Sequence, residues 1–471
     1  MKIRFSNLGT IRETELDLRP LTVIIGPNNS SKTYLAYSVY GLLREMKTVG
    51  DEVFERLRSV RVDRERGYFR WSTRRLENAF RAHVESSCRT FESALGGFFQ
   101  DSSGKLFRQT KFQCDFDALE VRALAGTDSL DVDLDIDSKE YLFVAGVGDM
   151  KKLWPGLYGQ EVSEIQYKLS LAEATIILER LMRGERFGLI PDPVILPAER
   201  NALIITYKIL SNRRFKLLRD AARSRKIGAR GGAALQEALR EQGEIRYPLP
   251  VEDFLDFLAD VELPATHAAR APNAAFVKLA EMVEASIQSG NRLELVPTVL
   301  GGNELRVGVG EGLSIDLYNA SSSIKQLSAL ILYLRYKAAP GQLLIIDEPE
   351  MNLHPASQVR LLEVLAILVR LGVKVLVTTH SPYFMAHLAN LVQRAEDPKT
   401  QKKQAAQLYL KDARALLSLD EVSAYEMRDN RLVSLKDPEF GLRWDTLSDV
   451  FSDLQQRFFT LDGLAHGKRG K

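Results

Sequence analysis

Three apolar runs, each stopping at a polar residue, constrain this chain more than anything else in it. Leu21-Thr22-Val23-Ile24-Ile25 runs into Gly26-Pro27-Asn28-Asn29. Leu343-Leu344-Ile345-Ile346 runs into Asp347-Glu348, and Val375-Leu376-Val377-Thr378-Thr379 into His380. A strand apolar on both faces must be covered on both faces, which is the habit of parallel sheets flanked by helices. Leu35, Val39, Leu42 and Leu43 recur at helical spacing after the first run, and 356–371 reads as a helix after the second. The fold class is therefore α/β with a parallel core sheet. Ligands of such sheets bind at the carboxyl ends of the strands. The unusual residues of this sequence fall there.

Composition narrows the field further. Hydrophobic residues make up 45% and charged residues 27% of the 471 positions, an ordinary globular mix. The most apolar stretch, 361–377, is broken by Glu363, Arg370 and Lys374, so no membrane span is expected. The start, MKIRFSNLG, has no apolar signal core. Two cysteines, Cys88 and Cys114, are too few for a disulfide framework, and a cytoplasmic protein is expected. A net charge of +2 provides no global field for nucleic acid.

Gly26-Pro27-Asn28-Asn29-Ser30-Ser31-Lys32-Thr33 nearly fits the phosphate loop G-x-x-x-x-G-K-[ST]. In such a loop the backbone N–H groups and a helix N-terminus favour negative charge. Lys32 would reach the β- and γ-phosphates of ATP, and Thr33 would hold Mg²⁺. Ser31 replaces the second glycine, at a cost of about 1 kcal/mol if the position needs a positive φ. Asp347 would hold the Mg²⁺ shell and Glu348 would orient or deprotonate the attacking water. His380 would reach the γ-phosphate and its water. Ser321, Ser322 and Ser323 open a helix over 321–338, where they can cap it and offer an anion site.

Together GPNNSSKT, LLIIDEP, EPEMNLHP and VTTHSPYF resemble the ABC-type ATPase heads of the RecF/SMC and overcoming-lysogenization-defect (OLD) group. The resemblance implies a P-loop head with a parallel core sheet, an antiparallel β subdomain and an inserted helical arm. It makes Asp347 the Walker B acid, Glu348 the catalytic base and His380 the switch histidine. Asn352, Leu353, His354 and Pro355 fall in the D-loop. Ala320 to Leu327 looks like the signature segment, with Ser323 where relatives carry glycine. In this group one subunit's signature helix closes on another's nucleotide, so an ATP-dependent homodimer of heads, or a larger assembly of such pairs, is implied. Pro197-Ala198-Glu199-Arg200 resembles a segment after a head strand in OLD-like ATPases, which leaves Arg200 either near nucleotide or stabilising the head.

The expected division is a head from 1–50, 190–205 and 295–471, with 51–189 and 206–294 as mainly helical insertions. Residues 51–125 and 162–183 read as helical, and 128–143 as an acidic-faced strand. Between Lys208 and Arg230 nine basic residues face only Asp220, a local field for DNA or an acidic partner. Strands are read at 425–435 and a helix at 447–461. The 91 residues after His380 carry no Toprim-type Glu-Gly…Asp-x-Asp pattern. The chain thus looks like an ATPase half that controls a separately encoded effector, a nuclease, as in anti-phage systems of the Septu and PARIS types. A RecF-like DNA-binding ATPase and an ATP-binding sensor with negligible turnover are the alternatives.

Overall fold

The computed structural model describes residues 1–47, 59–63, 68–70, 73–116, 164–168, 190–207, 247–261, 273–297, 303–310, 312–437, 441–443 and 445–466. The strands are β1 (Lys2–Leu8), β2 (Ile11–Asp17), β3 (Leu21–Ile25), β4 (Ser59–Asp63), β5 (Tyr68–Arg70), β6 (Lys111–Asp115), β7 (Glu164–Lys168) and β8 (Asp192–Leu196). They continue as β9 (Arg292–Pro297), β10 (Asn303–Gly308), β11 (Ser314–Asp316), β12 (Gln342–Asp347), β13 (Lys374–Thr379), β14 (Val422–Arg428) and β15 (Arg431–Ser434). The helices are α1 (Lys32–Glu45), α2 (Thr73–Phe98), α3 (Leu249–Val261), α4 (Ala274–Ser286), α5 (Ser322–Tyr336), α6 (Pro355–Arg370), α7 (Pro382–Leu391), α8 (Pro398–Ala405) and α9 (Asp445–His466).

The central sheet has the order β15-β14-β3-β13-β12-β8. All its pairings are parallel except that of β15 with β14. Antiparallel sheets β2-β1-β6, β11-β10-β9 and β5-β4-β7 accompany it. The apolar strands alternate between two cores, as a pleated strand buried on both sides must. Leu344, Ile346, Val375 and Val377 face one core with α3 to α7. Leu343, Ile345 and Leu376 face the other, shared with α1, α2 and the β2-β1-β6 sheet.

The structure departs from the sequence reading in several places. Residues 51–125 are not uniformly helical: β4, β5 and β6 lie there beside α2. Within the helix expected over 162–183, residues 164–168 form strand β7, which pairs antiparallel with β4, and the rest of that span lies outside the described residues. The strand β7 is set by its pairing with β4, about 100 residues earlier in the chain, which local periodicity does not register. Helices α3 and α4, read as part of an insertion, place Phe254, Phe257, Phe276 and Leu279 in the same core as the sheet. The acidic-faced segment 128–143 and the basic segment Lys208–Arg230 lie outside the described residues. No described helix is long and apolar enough to cross a membrane.

Helix α1 fixes the loop before it by packing tightly on α2. A Cβ at Gly41 would overlap the rings of Phe91 and Phe98. Gly41→Val should therefore destabilise the fold by about 1–3 kcal/mol through overpacking, although valine is the better helix former. Urea unfolding followed by circular dichroism measures this as a lower midpoint.

Candidate active site

Register brings the site together. Ile25 pairs with Thr379, and Thr378 pairs with Asp347, all in parallel. The residues that follow these strand ends, Gly26, His380 and Glu348, therefore emerge along one sheet edge. The histidine strand β13 sits between the phosphate-loop strand β3 and the acidic strand β12.

The Lys32 ammonium is folded into its own loop. It donates to Gly26 O at 3.0 Å, Pro27 O at 2.8 Å and Ser30 Oγ at 3.3 Å. Its Nζ lies 3.1 Å from His380 Nε2, and that nitrogen lies 3.0 Å from Glu348 Oε1. One ring nitrogen cannot satisfy both neighbours, because it carries either a proton or a lone pair. With a proton it donates to Glu348 and faces the ammonium unbonded; without one it can accept from Lys32 only in place of one of the three loop oxygens, and it then faces the carboxylate. Burial pulls the Lys32 ammonium below its ordinary range, while Glu348, Asp347 and Glu350 oppose that shift. The hydrogen bond from His380 holds the Glu348 carboxyl below its ordinary range, so it is ionised at neutral pH.

Asp347 is buried and takes a hydrogen bond from the Thr378 hydroxyl at Oδ1. Burial raises its carboxyl, and hydrogen bonds from Thr378 and Thr33 oppose the rise. Its other oxygen, Oδ2, is buried and meets no hydrogen-bond geometry with a partner among the described residues. A magnesium ion, commonly held by one or two protein oxygens plus substrate phosphates and water, fits this pair of Thr33 and Asp347. Glu350 holds the histidine strand end in place: its Oε1 accepts from the Thr379 hydroxyl at 2.7 Å and the His380 N–H at 2.6 Å.

Arg200 is buried behind the acids. It donates to Pro197 O at 2.8 Å, Asp347 O at 2.6 Å and Glu348 O at 2.9 Å. Of its two expected places, it takes the head-stabilising one. Burial draws its guanidinium down to about 10, so it stays charged at neutral pH. Gln326 on α5 also reaches Glu348 O, at 3.4 Å. Glu348 itself has a φ of 48°, a left-handed conformation that costs a non-glycine residue roughly 1–2 kcal/mol. Two donors on its carbonyl hold it there. Gln326 was not singled out in the sequence. Its only signal is its place one turn after the serines of the signature segment.

The remaining predicted residues divide. Pro27, Asn28 and Asn29 are exposed at the loop mouth. Ser31 has a φ of 65°, so the position does call for glycine-like geometry. Its hydroxyl does not cap α1 but lies 2.8 Å from Thr10 Oγ1. Gly26 is needed for a different reason from phosphate approach: a Cβ there would lie 2.8 Å from Met427 Cβ on β14. Ser321 Oγ caps α5 by accepting from Ile324 N–H at 3.3 Å and lies 2.9 Å from Ser323 Oγ. None of the hydrogen bonds of Ser321, Ser322 or Ser323 reaches the phosphate loop. His354 caps α6, its Nδ1 accepting from Ala356 N–H at 3.2 Å.

Residues 199–386 match the family described as "AAA domain, putative AbiEii toxin, Type IV TA system". The match covers less than half of the chain and makes this stretch similar to an AAA domain. Among solved structures, the chain is similar to the Smc head domain with an extended coiled coil bound to the C-terminal domain of ScpA, derived from Pyrococcus furiosus. The identity is 12% and the TM-score 0.37, over 96% of this chain and 98% of that one. A second similar structure is the Smc head bound to the C-winged helix domain of ScpA, with 12% identity and a TM-score of 0.34, over 93% and 98% of the two chains. No curated protein matches the sequence.

Two outcomes test this geometry. Arg200→Ala removes the side-chain donor from Asp347 O and one of the donors from each of Pro197 O and Glu348 O, and should lower stability by about 1–3 kcal/mol in urea unfolding. His380→Ala removes the bond that keeps the Glu348 carboxyl low. The Glu348 side chain should then titrate at higher pH, toward the ordinary carboxylate range, when followed by carbon-13 NMR.

Proposed function

We propose that this chain is an ATP-hydrolysing switch of the OLD/RecF-like type that controls a separately encoded effector, a nuclease, in anti-phage defence. The observation that carries the hydrolytic part is the single run of contacts from Lys32 through His380 to Glu348 at the carboxyl edge of a parallel sheet. Lys32 is held by loop oxygens that a bound triphosphate would replace with stronger, charged acceptors. Its departure would also free His380 to keep a proton on Nε2 and donate to Glu348 without conflict. In this reading Gly26, Pro27, Asn28, Asn29, Ser30 and Ser31 surround the β-phosphate.

The ionised Glu348 accepts the proton of the attacking water, and His380 fixes that carboxylate and touches the γ-phosphate. Thr33 and Asp347 would hold Mg²⁺, whose charge would act on the phosphate oxygens. The fixed Lys32, His380 and Glu348 do the rest by position and charge, as phosphoryl transfer requires.

The head in this reading comprises 1–50, 190–205 and 295–471, with α3 and α4 packed into it. Self-association of heads completes the site. The hydroxyls of Ser321 to Ser323 are not used by their own chain's phosphate loop. Met351 and Tyr383, which follow the acidic and histidine strands, are exposed apolar residues beside the site.

Lys32→Ala should abolish nucleotide binding in calorimetry while circular dichroism stays unchanged. Glu348→Gln should bind ATP, lower turnover by at least 100-fold, and accumulate a nucleotide-dependent dimer in light scattering. Normal turnover in Lys32→Ala would remove the assignment. Undetectable turnover in the unaltered protein would favour the sensor alternative. The effector is tested by co-purification of the chain with the products of its neighbouring genes; a chain that stays alone with each of them refutes that part.

A further inference from the structure

Helix α9 is 22 residues long, and every residue from Ser452 to Asp462 is exposed. Its polar residues do not surround it evenly. Leu447, Phe451, Leu454, Phe458, Leu461 and Ala465 recur at alternating steps of four and three. That is the a/d pattern of a coiled-coil seam, with Phe451, Phe458 and Ala465 at a and Leu447, Leu454 and Leu461 at d. Within the stripe, Leu454 is 58%, Phe458 64% and Leu461 65% exposed. A helix of this length spans about 33 Å, enough for three heptads. Within the described part of the stripe three large apolar side chains, about a turn apart, face water, an apolar surface that a partner helix can cover.

The charges indicate which partner. Asp449 and Asp453 fall at the outer f and c positions, away from the seam. Arg457 falls at g and Asp462 at e. In a parallel pair of identical helices, a g residue meets the e residue five positions later on the partner. Arg457 of one copy would therefore meet Asp462 of the other, twice by symmetry. No like charges meet across the seam. A second copy of this chain is thus complementary to α9 at the a and d positions and at the Arg457/Asp462 pair, while Phe459, 70% exposed at b, stays outside the seam. Arg457 already holds Asp453 at 2.7 Å within the helix, an exposed contact that a pairing partner can share.

We propose that α9 is a parallel two-stranded coiled-coil dimerisation element that joins two copies of this chain without nucleotide. The element does not depend on the ATPase reading. It adds to it, because tethering two heads turns their nucleotide-driven closure into an intramolecular event at raised effective concentration.

The full chain, free of nucleotide, should sediment as a dimer at 20 µM. Leu454→Asp and Phe458→Asp together should weaken the dimer at least tenfold, with circular dichroism unchanged because both positions are exposed. With Cys88 and Cys114 replaced by serine, Leu461→Cys should form an intermolecular disulfide under mild oxidation, since a d residue faces its own copy only in the parallel arrangement. Asp462→Arg should weaken the dimer, and adding Arg457→Asp should restore it. A monomer at 50 µM overturns the proposal, as does a dimer that survives Leu454→Asp with Phe458→Asp. Absence of the Leu461→Cys cross-link in a dimer overturns the parallel arrangement. These outcomes are read without ATP, so they stand apart from the Lys32→Ala and Glu348→Gln measurements.

Discussion

A buried ammonium without a carboxylate in direct contact is the constraint on which the rest of this site depends. Lys32 is 5% exposed and has carbonyl oxygens, a hydroxyl and an imidazole around it. Burial disfavours its charge, and the nearby acids restore it at longer range. Such an arrangement is tolerable but unsaturated. A triphosphate would give it what the loop oxygens give only weakly. The same imbalance runs through the histidine, whose one nitrogen faces an ammonium and a carboxylate together. It ends at Asp347, where a buried oxygen meets no hydrogen-bond geometry with a partner among the described residues.

The supporting layer holds these groups by backbone contacts. Arg200 fixes the carbonyls of Asp347 and Glu348, while Glu350 fixes the main chain of His380 and the hydroxyl of Thr379. The acids and the histidine are thus oriented through their own peptide groups, which move less than side chains. Gln326 extends this layer to α5, the helix that Ser321 to Ser323 open. A displacement of α5 would be felt at the left-handed Glu348.

The parts of this that the sequence made legible are those written into consecutive residues. Lys32, Asp347, Glu348 and His380 each follow an apolar run, and runs of that kind predict a parallel strand and its carboxyl end. The parts it hid depend on distant chain. Gly26 reads as a phosphate-loop glycine, yet its lack of a side chain also answers to Met427, some 400 residues later. The strands at 59–63 and 164–168 are set by each other, not by local periodicity. Helices α3 and α4 read as an insertion because they lie between motifs in sequence, although their phenylalanines fill the main core. Arg200 offered two readings, and only its burial separates them.

Ser31 shows how a departure from the phosphate-loop pattern is accommodated. Its φ of 65° costs a residue with a Cβ roughly 1–2 kcal/mol. A hydroxyl–hydroxyl bond to Thr10 at 2.8 Å offsets part of that, at about 0.5–1.5 kcal/mol for a typical net hydrogen bond. Thr10 lies in the turn between β1 and β2, next to Gly9, whose own φ is 59°. A Cβ at Gly9 would lie 3.2 Å from the Tyr34 ring on α1. The serine therefore exchanges a small conformational cost for a link between the phosphate loop and the antiparallel sheet beside it. A glycine at 31 would relax the backbone and cut that link. The departure thus changes what the loop is anchored to while leaving its left-handed geometry, and the aim of Lys32, in place.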